Sequence, residues 1–360
     1  MKEILDLTQK LIKFKTFLGN DSEKNQIIDF VENYFSSCNL KIHRYKKNGN
    51  PSILIHNGSS LKEIDFLLSG HLDVVDDEKS GFTPFISKDR IYGRGSGDMK
   101  AGCAAMMKFL KDLSQKKNKL SVGLLLTTDE ELGGVDGVGY LLSGPLKNLK
   151  PKGVIIPDGG EDLKKIVLGQ KGVLQVKIWS EGKSAHGAKP FLGENAIEKL
   201  MGIYKALKRE FPSIQKGQWK NTMNLGKIVG GESINKVPDK AEMFLDFRFT
   251  EKGDDLMIER NISRLTKDFE IIAGGDCLIQ DRNDIFLKEY KKIAEKRIGE
   301  KIEFMKTEGA SDARYFSAKN IPVVITKIKC DNIHSKNEWV EMREMEEFYE
   351  ILRDFFQEDN

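Results

Sequence analysis

The sequence predicts an α/β protein: a mostly parallel-sheet domain covered by helices, interrupted by an inserted ferredoxin-like βαββαβ unit. Three observations carry that expectation. Short apolar runs at 53–55, 64–68, 122–126 and 154–156 alternate with amphipathic stretches, notably 101–113 and one beginning at Ser22, as buried strands separated by helices do. From Gly172 the pattern becomes strand 173–179, helix 194–211, strands 222–229 and 241–249, helix 254–269 and strand 271–278, the order of a split βαβ unit. After about Gln280, a charged helix through Lys296 and a strand at 322–328 resume the first pattern. The expected domains are 1–171 with 280–360, and an insert at 172–279.

Composition narrows the function. The 360 residues, 39% hydrophobic and 31% charged, can bury the cores of one large or two moderate domains. Lys and Arg total 58 against 55 acids, spread along helical faces, so nucleic acid is not an expected partner. The first helix carries Ile4, Leu5, Leu7, Leu11 and Ile12 at helical spacing with charges between them, unlike a secretory leader. No apolar run approaches the roughly 20 residues of a membrane span. A cytoplasmic protein with no membrane partner is expected. Cys38, Cys103, Cys277 and Cys330 show no CxxC spacing, which argues against a disulfide framework and a thiolate zinc site. Any metal would need His and carboxylate ligands.

The residues just beyond each strand are the informative ones. SGHLDVVDD comes after the second, TTDEELGG after the third and PDGG after the fourth, and in open sheets of this kind sites lie at the carboxyl ends of the strands. His71 and Asp73 stand two apart, so Asp73 is placed to bond the ring nitrogen that faces away from a metal. YGRGSGDMKAG fits neither a dinucleotide loop nor a P-loop. Its Asp98 reads equally as a helix cap and as a metal ligand. The late stretch CDNIHSKNEWV adds His334.

Several carboxylates on one buried edge repel each other unless cations sit among them. His71, Asp98, Glu131, Asp158 and His334 suit two divalent ions, zinc first and cobalt or manganese as alternatives, about 3.5–4 Å apart with one shared carboxylate. Glu130 is then left over, free to accept a proton from a water that the metal acidifies.

At these residues the chain resembles the co-catalytic di-zinc peptidases and deacylases of the peptidase M20 family, typified by acetylornithine deacetylase, succinyl-diaminopimelate desuccinylase, aminoacylase and glutamate carboxypeptidase. GHLDVV, GRGSGDMKAG, TTDEELGG, GKSAHGAKP and IHSKNEWV carry the resemblance in order. It implies one zinc on His71 and Asp158, another on Glu131 and His334, a bridging Asp98, a general base at Glu130, and Asp73 orienting His71. It also implies that the insert is a lid and dimerisation module, and that His186 reaches the second subunit's site in a homodimer and stabilises the oxyanion. VGGESINKVPDK and FLDFRF resemble segments that hold the substrate carboxylate, at Asn235 and Arg248. EGASDARYF resembles a loop close to substrate, with Ser311 and Asp312.

One departure matters for the substrate. Many deacylases of the family read Gly-Glu-Pro-Thr where this chain reads IIPDGGED, and Asp158 at that position accompanies peptidases, whereas GASDAR leans toward desuccinylases. The shared expectation is hydrolysis of an amide in a small molecule, an N-acyl amino acid or short peptide with a free carboxylate. A dipeptidase or glutamate-type carboxypeptidase is the alternative. A non-catalytic amino-acid or peptide binder on the same scaffold is the reading from another class.

Overall fold

The computed structural model describes residues 1–116, 119–215 and 217–357. The chain divides into two compact units, Met1–Leu168 with Gln280–Asn360, and Gly169–Ile279.

The first unit is built on a six-stranded sheet in the order Lys41–Lys47, Asn50–His56, Val122–Thr127, Phe66–His71, Gly153–Ile156, Val323–Ile325. The last four strands run parallel to one another. The apolar run at 53–55 belongs to a strand antiparallel to Val122–Thr127, forming a hairpin with Lys41–Lys47. The sheet is therefore mixed at that edge. The tight Asn48–Gly49 turn explains this, since both residues have positive φ and only an antiparallel partner can follow so short a connection. Val122–Thr127 is buried along its whole length, which is why it reads as an uninterrupted apolar run.

Helices bury their apolar stripes against this sheet and each other. Lys2–Ile12 turns Ile4, Leu7, Leu11 and Ile12 inward, the three-and-four spacing of an amphipathic helix. Ala101–Ser114 packs between it and Met342–Gln357. Met345, Phe348, Ile351, Leu352 and Phe355 of that last helix repeat the same spacing, and Phe355 and Phe356 meet Phe66 edge to face. Such aromatic contacts add to what area burial supplies.

The second unit is a four-stranded antiparallel sheet in the order Thr222–Gly230, Lys240–Phe249, Gly172–Glu181, Phe269–Gly275. Its helices are Ala196–Glu210 and Asp254–Leu265. Alternate residues of the central strands, among them Val176, Ile178, Met243 and Leu245, form its core with Leu200, Leu207, Ile258 and Ile262. The second helix stops before the expected 269 because Thr266 turns extended and Phe269 pairs with Ile178. Cross-strand pairing outweighs the helical pattern there.

Candidate metal centre and active site

Sheet register sets the site. His71 closes its strand directly opposite Thr127, so the two strands deliver His71 and the Asp129–Glu131 turn at one level. Ile156 pairs with Ile325, which places Asp158 and Lys327, each two residues further on, side by side.

Two groups of metal-ligating atoms result. His71 Nε2 lies 3.3 Å from Asp98 Oδ1, 3.9 Å from Asp158 Oδ2 and 4.0 Å from Glu130 Oε2. His334 Nε2 lies 3.4 Å from Asp98 Oδ2 and 3.1 Å from Glu131. The ligand atoms of His71, Asp98 and Asp158 fall within 4.8 Å of one another, as do those of Asp98, Glu131 and His334. Asp98 thus turns one oxygen to each group. Nε2 of His71 is buried and has no hydrogen-bond partner, and a buried polar atom without one is a costly exception that a metal would remove. The donor set, imidazole with carboxylate, suits zinc and other divalent first-row ions.

The supports around these ligands differ in part from expectation. Asp98 does not cap a helix: the following helix begins at Ala101, and Asp98 has extended φ/ψ with no capping bond. It is held by Glu338, a buried acid whose carboxylate accepts from the N–H groups of Gly95 at 2.9 Å, Gly97 at 2.9 Å and Asp98 at 3.1 Å, and from Arg94 at 2.8 Å. Sequence reasoning passes over Glu338, because a glutamate shortly after a loop histidine carries no pattern of its own. Asp73 meets His71 Nδ1 through its main-chain oxygen at 3.1 Å, while its carboxylate is 3.6 Å away and accepts the Glu131 N–H at 3.0 Å. Asp73 therefore fixes both His71 and the acidic turn. Asp129 does similar work by accepting from Asp136 and Gly137, each at 2.8 Å.

Ser311 and Asp312 are buried at the start of the helix Ala313–Ser317. Arg314 and Tyr315 both donate to the Gly133 carbonyl, so the GASDAR loop buttresses the turn that carries Glu130 and Glu131.

Charges shift as the crowding dictates. Burial raises Glu130 well above the usual carboxylate range; His71 opposes this, and Asp312, Asp158 and Asp73 add to it. Asp312 is pushed up to about 7, by burial first and Asp129 next. Burial would lower His71, but Asp73, Asp98 and Glu130 outweigh it and hold it well above 6.5. Burial would also raise Asp98, yet Lys327, His334 and His71 bring it well below its ordinary value. The cluster is short of positive charge, and cations among the acids would relieve it.

Lys327 is the other residue that sequence reasoning misses. Its Nζ lies 3.2 Å from Asp158 Oδ1 and 3.9 Å from Asp98 Oδ1, and burial, which would neutralise it, is outweighed by those two acids. It compensates one side of the cluster while both ligand groups stay assembled.

Comparison with known proteins places the chain in a family. Residues 67–358 match the model of peptidase family M20/M25/M40. The chain belongs to this family. Among curated relatives, succinyl-diaminopimelate desuccinylase of Wigglesworthia glossinidia brevipalpis is 27% identical, over 95% of each chain. A probable succinyl-diaminopimelate desuccinylase of Staphylococcus aureus (strain MRSA252) is 25% identical over 89% of this chain and 87% of its own. The fold is that of an M20 family metallo-carboxypeptidase from Sulfolobus solfataricus, with a TM-score of 0.83 at 21% identity, covering 99% of each chain. A tripeptidase from Staphylococcus aureus shares it at TM-score 0.82 and 20% identity, covering 99% of this chain and 97% of that one.

The remaining positions that the resemblance singles out lie in the second unit. His186 bridges to Lys236, and its Nδ1 accepts the Ala188 N–H at 3.1 Å. Asn235 takes a hydrogen bond from Ser233, and its carbonyl accepts the Gly187 N–H at 2.7 Å, so two bridged segments hold His186 and Asn235 near one another. Arg248 is half-buried and forked onto Asp246 at 2.7 and 3.2 Å. No helix of the described residues is long and apolar enough to cross a membrane.

Proposed function

We propose that this hydrolase cleaves the amide bond of an N-acyl amino acid or short peptide bearing a free carboxylate, at a centre of two divalent ions, zinc first with cobalt or manganese as alternatives. The observation that carries the reading is the pair of ligand groups sharing Asp98, with Glu130 beside them and outside both. His71 and Asp158 would hold one ion, Glu131 and His334 the other. Ions bound there would polarise the amide carbonyl and acidify a water. Glu130 takes a proton from that water as its oxygen bonds to the carbonyl carbon, and delivers it to the amine nitrogen as the C–N bond breaks. Asp73 and Glu338 keep the ligands in register throughout.

The second unit serves as lid and dimerisation module. In a homodimer, His186 from the other copy donates to the developing oxyanion, a preorganised contact of the kind that carries much of a rate enhancement. Asn235 and Arg248 receive the substrate carboxylate, Arg248 through the fork that now engages Asp246. Ser311 and Asp312 border the substrate behind the Glu130 turn. A dipeptidase or glutamate-type carboxypeptidase reading is favoured by the aspartate at 158.

The test joins metal analysis to a zinc- and cobalt-supplemented panel of N-acetyl and N-succinyl amino acids, dipeptides and glutamate conjugates. Turnover of one class is expected, with Glu130→Gln keeping its metal and losing about 10²–10⁴-fold in rate. A metal-loaded protein inert across the panel, or an active Glu130→Gln, would refute the assignment.

A further inference from the structure

The turn at Glu130–Leu132 is gripped from three directions. Asp73 accepts the Glu131 N–H at 3.0 Å, and Arg314 and Tyr315 donate to the Gly133 carbonyl. The third hold comes from the hairpin of Lys41–Lys47 and Asn50–His56, which carries none of the assigned metal ligands. Asp136 makes the link. Its carboxylate accepts from Asn48 Nδ2 at 2.9 Å and Asn50 Nδ2 at 3.2 Å, while its own N–H donates to Asp129 Oδ2 at 2.8 Å. The Asp129 carbonyl then closes the turn, accepting from the N–H groups of Leu132 at 3.1 Å and Gly134 at 2.9 Å. One residue earlier, Thr128 donates to the Pro51 carbonyl at 2.8 Å.

Behind Asn50 stands Lys24, on the helix Asp21–Phe35. It is 1% exposed, and its Nζ lies 2.8 Å from Asn50 Oδ1. An ammonium only donates and a carboxylate only accepts, so Lys24 and Asp136 together dictate which way the Asn50 amide faces. Asn50, 8% exposed, thus relays between a buried cation and an anion on the far side of its amide. A buried polar network with its members engaged rigidifies what it holds.

We propose that Lys24, Asn50 and Asp136 are positioning residues for the hydrolysis, a polar chain that sets the reach of Glu130 from the hairpin edge of the sheet. The inference rests on the proton-transfer role given to Glu130 above. Asp73 secures Glu131 independently, so slackening the chain moves the base more than the ligand. The loss then falls on rate: misplacing a reacting group by about 1 Å lowers turnover about 10²-fold.

The bond pattern supplies the test, an exchange of two side chains. Asn50→Asp alone sets two carboxylates against each other, which repel. Adding Asp136→Asn removes the conflict: Lys24 donates to the carboxylate now at 50, and the amide now at 136 donates to it while still accepting from Asn48. Every bond returns, one of them reversed. Asn50→Leu has no such remedy and keeps the test decisive if Asn50→Asp fails to fold. For each full-length variant, kcat, KM and bound metal are measured on the substrate of the panel above that wild type turns over fastest, with the melting temperature as control.

Asn50→Asp and Asn50→Leu are expected to lower kcat about 10–100-fold, with KM within about threefold and metal content at the wild-type level. Asp136→Asn should restore kcat to Asn50→Asp and leave Asn50→Leu slow. Wild-type kcat in the folded single variants, or an exchanged pair that melts like wild type and stays slow, would overturn the proposal and leave the hydrolase standing. A loss carried by KM or by metal content would also overturn it, because the chain would then be shaping the pocket or the ligands and not the base. Wild type inert across the panel would overturn the reading of Glu130 and this proposal together.

Discussion

Glu338→Ala tests how the loop presenting Asp98 is held. The carboxylate, 2% exposed, accepts three backbone N–H groups and the Arg94 guanidinium within 2.8–3.1 Å. Burial raises its pKa, and the bonds from Gly95 and Gly97 and the charge of Arg94 offset only part of that. The cost of keeping this carboxylate ionised is therefore only partly offset by its contacts. Truncation is costly for another reason, namely what it leaves behind. Three buried donors lose their acceptor at about 1–3 kcal/mol each, reduced where water enters the space vacated. Arg94 keeps Asp77 at 3.1 Å and is not stranded. The expected loss is about 3–5 kcal/mol, a large part of the about 5–15 kcal/mol that a domain has. Zinc affinity should fall about 10–100-fold as well, since Asp98 loses its orientation. Urea denaturation and zinc titration of the same preparation check both numbers. A shift under about 1 kcal/mol with unchanged zinc affinity would refute the argument that Glu338 organises the loop.

Other predictions concern separate parts of the molecule. Gly134 has φ +65°, and a Cβ there would run into the Asp312 carboxylate, so Gly134→Ala should cost more than the about 1–2 kcal/mol of a left-handed backbone and also slow turnover. Gly19→Ala, at φ +84° with open space around it, is the control that pays for backbone alone, and equal losses at the two sites would contradict the packing argument. His56 is buried with Nε2 3.1 Å from His43 Nε2, and its pKa is pushed down to about 4 by burial first, then His43 and Lys41. Because the folded value lies below the ordinary 6.5, the unfolded chain takes up this proton first. Stability held at neutral pH is then lost between about 6.5 and 4, and His56→Gln should flatten that part of the denaturation-versus-pH curve; an unchanged slope would rule it out. Mixing inactive His186→Ala with inactive Glu130→Ala should restore turnover through sites that combine both intact groups, and no recovery despite demonstrated subunit exchange would argue against sharing.

The sequence by itself determined the fold class and the family. Buried strands announce themselves as apolar runs, and the chemistry of their ends is written in the next few residues: His71 after one, Glu130 and Glu131 after another, Asp158 after a third. These are local facts, and local facts survive in a linear string. What only the tertiary structure decided depends on register between segments far apart in the chain. Nothing near Lys327 in the sequence says that it stands beside Asp158; the pairing of Ile325 with Ile156 says so. Nothing near Glu338 says that it holds the loop before Asp98, more than 240 residues earlier. Asp98 itself reads equally as a cap and as a ligand, until the backbone shows that its helix begins three residues later. The antiparallel hairpin at residues 41–56 is hidden for a related reason, since a fully buried strand reads as apolar whichever direction its neighbour runs. Pairing, direction and charge compensation are properties of neighbours, and the neighbours are chosen when the sheet forms.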